Sequence, residues 1–159
     1  MTICWPVREM TQNKKSKSIR LTIRTLRVGW HDKDEVMLHS AFQLLADFVE
    51  QESPDKHIDW SHDAVHRRAW KEIRDLYQWW TRTRPSRRTP LDDKKITKPP
   101  LRFQKVAGTK LSRLVTPDKK RYGAYYRALR RHTRLEQKWR SEDQRNLHRL
   151  INIREFLWT

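Results

Sequence analysis

Two stretches of this chain carry apolar residues three and four positions apart, a spacing that commits the middle of the sequence to helix. In the first, Leu38, Ala41, Phe42, Leu45, Phe48 and Val49 fall on one stripe. Asp32 or Asp34 can cap a helix there that runs to about Glu52. Asp34 and Glu35 sit in its first turn, where the helix dipole favours negative charge. Ser53-Pro54 ends it. The second stripe is Val65, Ala69, Ile73, Leu76, Tyr77 and Trp80, with Trp70 on its flank. It predicts a helix from near Ser61 to about Thr83, stopped by Pro85. The short 53–60 link makes the two helices antiparallel neighbours.

Only three glycines occur in 159 residues, so few positions take positive φ without strain, and long helices fit better than a turn-rich β protein. Apolar residues make up 36% of the chain, below the usual level of about 45–50%. Eight tryptophans supply large side chains for a core. The length suits one domain with extensions.

Charge is segregated along the chain. Residues 1–28 hold seven basic and one acidic side chain, residues 29–80 hold six and eleven, and residues 81–159 hold twenty-three and seven. The partial charges are therefore +6, −5 and +16, which together give the net +17. Part of the acidic middle can pack on the basic ends, but a large positive surplus remains. Such a surplus attracts polyanions, most strongly at low salt.

The flanking segments are less regular. Residues 1–18, with Lys14, Lys15 and Lys17, read as a flexible basic arm. Residues 19–28 alternate apolar and polar, a half-buried strand pattern that slips at Thr25-Leu26. Its partner would be another copy or an extended piece near residues 101–106. Residues 84–118 contain Pro85, Pro90, Pro99, Pro100 and Pro117 among many cations. They read as an extended basic loop, with a short helical turn between Val106 and Leu114. A C-terminal helix covers about Lys119 to Phe156, with Tyr126, Leu129, Trp139, Leu147, Leu150, Ile151 and Leu157 as its seam. Ser141-Glu142-Asp143-Gln144 has a capping-box pattern at which that helix can break. The fold class is mainly α: residues 19–83 give a strand and a helical hairpin, residues 119–159 give a long helix packing on that core, and at most a minor strand pair forms near the N-terminus.

Several residue groups carry candidate chemistry. Lys119, Lys120, Arg121, Arg127, Arg130, Arg131 and Arg134 run with almost no acid between Asp118 and Glu136. On a helix the last four arginines share a face that can track a phosphate backbone. Tyr122 and Tyr125 are placed to stack on unpaired bases. Arg82, Arg84, Arg87 and Arg88 surround Pro85, and arginine suits bidentate phosphate contacts. His62 and His66 stand four apart, a spacing zinc sites use. His39 and Glu50, three turns apart, are the remaining metal candidates. A buried, hydrogen-bonded imidazole is the commoner fate of such histidines, and no His-Glu-x-x-His pattern occurs, so no metal or cofactor is expected. Ala107-Gly108-Thr109-Lys110 lacks the earlier glycine of a phosphate-binding loop. Cys4 is the sole cysteine, which excludes an internal disulfide and points to a reducing compartment. No apolar run approaches the roughly 20 residues that span a membrane, and the N-terminus lacks the apolar region of a signal peptide.

Met37-Leu38-His39, Ala41-Phe42 and Phe48-Val49-Glu50, then Glu72-Ile73 and Asp75 through Trp80, then Arg84-Pro85, and finally Leu150 through Arg154 with the closing Leu157-Trp158-Thr159 form a pattern. It resembles small uncharacterised proteins of tailed bacteriophages over residues 29–85 and 145–159. The resemblance implies a setting, the host bacterial cytoplasm or the virion, and no catalytic residue. The expected function is non-enzymatic binding of nucleic acid, DNA or RNA. The rivals are recognition of an acidic protein surface, as a virion component or host-protein inhibitor with Trp79 exposed at the interface, and a metal-dependent hydrolase.

Overall fold

The computed structural model describes residues 21–157. The basic arm 1–18 with Cys4, the first two residues of the expected strand, and Trp158-Thr159 lie outside them. The protein is mainly α. Helix α1 spans Lys33–Asp47, α2 spans Ala64–Gln78 and α3 spans Gly123–Asn152. A two-stranded antiparallel sheet pairs β1, Phe103–Lys105, with β2, Ser112–Leu114. Among the described residues no helix is long and apolar enough to cross a membrane.

The helices begin and end for local reasons. The Asp63 side chain accepts from the backbone N–H groups of Val65 and His66 and so caps α2. These bonds favour the carboxylate and hold the Asp63 pKa down at about 2. After α1 and α2 the chain widens into single π-helical turns, Phe48–Glu52 and Trp79–Thr83. Ser53 then adopts a left-handed conformation, φ 48°, before Pro54. A non-glycine residue there carries about 1 kcal/mol of strain, which the 53–60 link offsets by burying Pro54 and accepting the Trp60 indole N–H on the Pro54 carbonyl at 3.1 Å.

Both stripes read from the sequence meet in one core. Phe42, Leu45, Ile73 and Leu76 are fully buried, with Leu38, Phe48, Ala69, Trp79, Trp80, Leu147 and Leu150 around them. Phe42 stacks on Trp80 at 4.7 Å, and the Trp80 ring meets the edge of His39. Val65 is the exception on its stripe and is half exposed, because it lies in the first turn of α2. Phe156 and Leu157 pack on this core. α2 runs antiparallel to α3: Glu72 binds Arg149 at 2.5 and 2.9 Å, and Trp79 donates to Glu142 at 3.0 Å. Packed against both α1 and α3, which also touch each other, α2 buries a wider arc than one stripe. Trp79, which lies off the stripe and was expected to face a second layer or a partner, is buried against α3 beside Trp80.

Several expectations need correction. Residues 21–28 form no strand; they are strapped to side chains of α1. Gln43, buried in α1, accepts the Arg24 backbone N–H at 3.0 Å, and Thr25 shares a 2.7 Å hydrogen bond with His39. The minor sheet lies inside the proline-containing loop rather than near the N-terminus. The expected helical turn at 106–114 is the loop and second strand of that hairpin. Gly108 takes φ 75° at its tip, a conformation glycine reaches without strain. α3 runs unbroken through Ser141–Gln144, because Glu142 and Asp143 bind arginines instead of capping a new helix.

Candidate nucleic-acid interface

Thirty residues of α-helix extend about 45 Å, yet the buried residues of α3 are Ala128, Asn146, Leu147 and Leu150. Its C-terminal half belongs to the core, and its N-terminal half reaches beyond it. There it is accompanied by the short turn Pro90–Asp92, fixed by a 2.8 Å hydrogen bond between Thr89 and His132. The helix sorts its charges by face. Glu142 and Asp143 turn toward residues 84–87: Arg87 reaches them at 2.7 and 2.6 Å, and Arg84 reaches Asp143 at 3.4 Å. Glu136 pairs with His132 at 3.2 Å.

The outward face beside them keeps its cations. Arg127, Arg130, Arg131 and Arg134 are exposed, and among the described residues none of them has an ion-pair partner. Lys138 and Arg145 continue the stripe around a shallow groove that Arg134, Gln137, Ser141 and the Arg87-bound Glu142 also line. Arg127 to Arg145 spans eighteen positions, about 27 Å. Arg145 was missed from the sequence although the signal was there: Arg131, Lys138 and Arg145 stand seven apart, two helical turns, on one face.

At the start of α3, Lys119, Lys120 and Arg121 are exposed. The first turn holds no acid and no side chain caps the helix, so the positive end of the dipole adds to their charge. Tyr122 and Tyr125 are half-buried. Arg121 lies over the Tyr122 ring at 5.6 Å, and Tyr125 packs edge-on against Tyr126 at 5.5 Å. Each ring thus has one neighbour within the protein, and Tyr122 also lines a pocket with Pro100, Arg102 and Arg121.

The arginines around Pro85 divide. Arg82 and Arg88 are exposed. Arg84 lies over the Trp80 ring at 4.8 Å, and Arg87 lies between Trp79 and Trp139, 5.6 and 5.8 Å from their centroids. Burial works against the charge on Arg87, but Asp143 and Glu142 outweigh it and its pKa is raised. Arg84 and Arg87 hold residues 84–87 to α3 and are not available to phosphate.

The four metal candidates do not converge. The His39 imidazole is buried between Thr25 and Trp80, and burial, followed by the nearby charge of Arg84, lowers its pKa. Glu50 accepts from Arg24 at 2.9 Å and from the Tyr77 hydroxyl at 3.0 Å. His62 and His66 meet edge to face at 5.9 Å, and His66 pairs with Asp63 at 3.0 Å. Among the described residues no group of three or more ligating side chains is placed to hold a metal ion. No protein-family model matches the chain, and no curated protein or solved structure is similar to it.

Proposed function

We propose that this protein is a non-enzymatic nucleic-acid-binding protein that lays the outer face of α3 along a phosphate backbone. The observation that carries this reading is the sorting of charge on α3. Its acids Glu142 and Asp143 are consumed by internal arginines, while the six cations of one stripe, Arg127, Arg130, Arg131, Arg134, Lys138 and Arg145, are exposed without an ion-pair partner among the described residues. Lys119, Lys120, Arg121, Arg82 and Arg88 add exposed positive charge. An infected bacterium or a phage particle, the setting implied by the sequence resemblance, belongs to the same reading. The rival, an acidic protein partner, loses its anchor because Trp79 is buried.

Binding of labelled DNA and RNA oligonucleotides across a salt series tests it. Each neutralised phosphate contributes about −0.9 to the slope of log affinity against log salt on a duplex and about −0.7 on a single strand. Six contacts predict a slope between about −4 and −5. Absence of binding at low salt would overturn the reading.

A further inference from the structure

Every residue from 101 to 116 is exposed, although this hairpin carries large apolar side chains. Leu101 is 77% exposed, Leu111 69%, Phe103 66% and Leu114 52%. Phe103 and Leu114 stand directly opposite each other in the sheet, and Lys105 with Ser112 follow two positions on, the same side of the ribbon. A two-stranded hairpin open to water on both sides is marginal by itself, and exposed apolar surface of this kind marks a binding site. The partner has a definite electrical character. Between Lys98 and Thr116 there are five cations and no acid, so the same hairpin of a second copy is repelled and a polyanion is attracted. The partner must present flat apolar surface and negative charge together. Unpaired nucleobases with their phosphates do so, whereas a duplex hides the faces of its bases. The hairpin also adjoins the proposed backbone-binding face, since the Tyr126 hydroxyl of α3 holds the Pro117 carbonyl at 3.4 Å, where β2 leads into that helix.

We infer that the 101–116 hairpin is a stacking platform for single-stranded nucleic acid, with Phe103 receiving a base beside Leu114 and the surrounding cations holding the phosphates. This rests on the nucleic-acid reading above and narrows it to unpaired strands. The test compares the full-length parent, Phe103→Ala and Phe103→Tyr for binding to single-stranded and duplex oligonucleotides of one sequence. Phe103→Ala should weaken single-strand binding roughly 5- to 150-fold, the range for losing one stacked base. Its salt slope should not change, because no charge is removed. Phe103→Tyr keeps a ring and should bind as the parent does. An unchanged urea midpoint serves as the folding control, because the hairpin lies outside the core. Parent binding that is indifferent to Phe103→Ala, or that favours duplex, overturns the hairpin inference and leaves phosphate binding by α3 standing. No binding of any nucleic acid at low salt overturns both.

Discussion

Arg87 separates a structural cation from a ligand-binding one, and replacing it has a magnitude that can be worked out. Its guanidinium donates to Glu142 at 2.7 Å and to Asp143 at 2.6 Å, with its own side chain 15% exposed and Asp143 18% exposed. A hydrogen bond to a charged group contributes about 1.5–3 kcal/mol. Two bonds to one guanidinium do not add fully, and Glu142, a third exposed, is partly screened by water. Arg87→Ala also removes the cation from the faces of Trp79 and Trp139, each contact contributing about 0.5–1 kcal/mol. The expected loss of stability is about 2–4 kcal/mol, since the two carboxylates keep partners in Arg84 and in the Trp79 indole. A protein of this size loses about 2 kcal/mol of stability per molar urea, the middle of the range for small proteins. The unfolding midpoint followed by circular dichroism should therefore fall by about 1–2 M. Nucleic-acid binding by the folded fraction should keep the parent salt slope. An unchanged midpoint with a slope shallower by about one contact would make Arg87 a phosphate ligand and refute the assignment.

Two further perturbations probe the core. Phe42→Ala empties a fully buried site stacked on Trp80 and should cost about 3–5 kcal/mol in urea unfolding; a loss below about 1 kcal/mol would contradict the packing described. His39 is held neutral by burial, so its folded pKa lies below 6.5. Stability tied to it is complete above pH 6.5 and is lost as pH falls through the lowered value. The parent midpoint should drop on acidification below pH 6.5 more steeply than that of His39→Gln, and parallel profiles would contradict this.

Helix positions were legible because burial imposes a period. Leu38, Phe42, Leu45, Ile73 and Leu76 each appear on a stripe that the sequence displays, and each is in the core. The stripe left open whether Trp79 faces a second layer or a partner, because a single period does not show that α2 packs against a second helix, α3, as well as α1. The strap 21–28 alternates like a strand but satisfies its groups on Gln43 and His39, contacts that alternation does not encode. The arginines of the candidate site show the same limit. Arg87 and Arg130 look alike in the sequence, and only the fold of residues 84–87 onto α3 brings Glu142 and Asp143 to the first and leaves the second free. The hairpin was hidden by the brevity of its strands, three residues each, too short to show a period.

The most direct test of the outer face of α3 as the backbone contact is the salt dependence of single-strand binding by Arg127→Gln/Arg130→Gln/Arg131→Gln/Arg134→Gln against the parent. The face predicts a slope shallower by about 3, at about 0.7 per lost phosphate contact on a single strand, with the urea midpoint retained because these side chains are exposed and carry no ion pair among the described residues. A variant that binds with the parent slope and affinity would place the contact elsewhere and contradict the account.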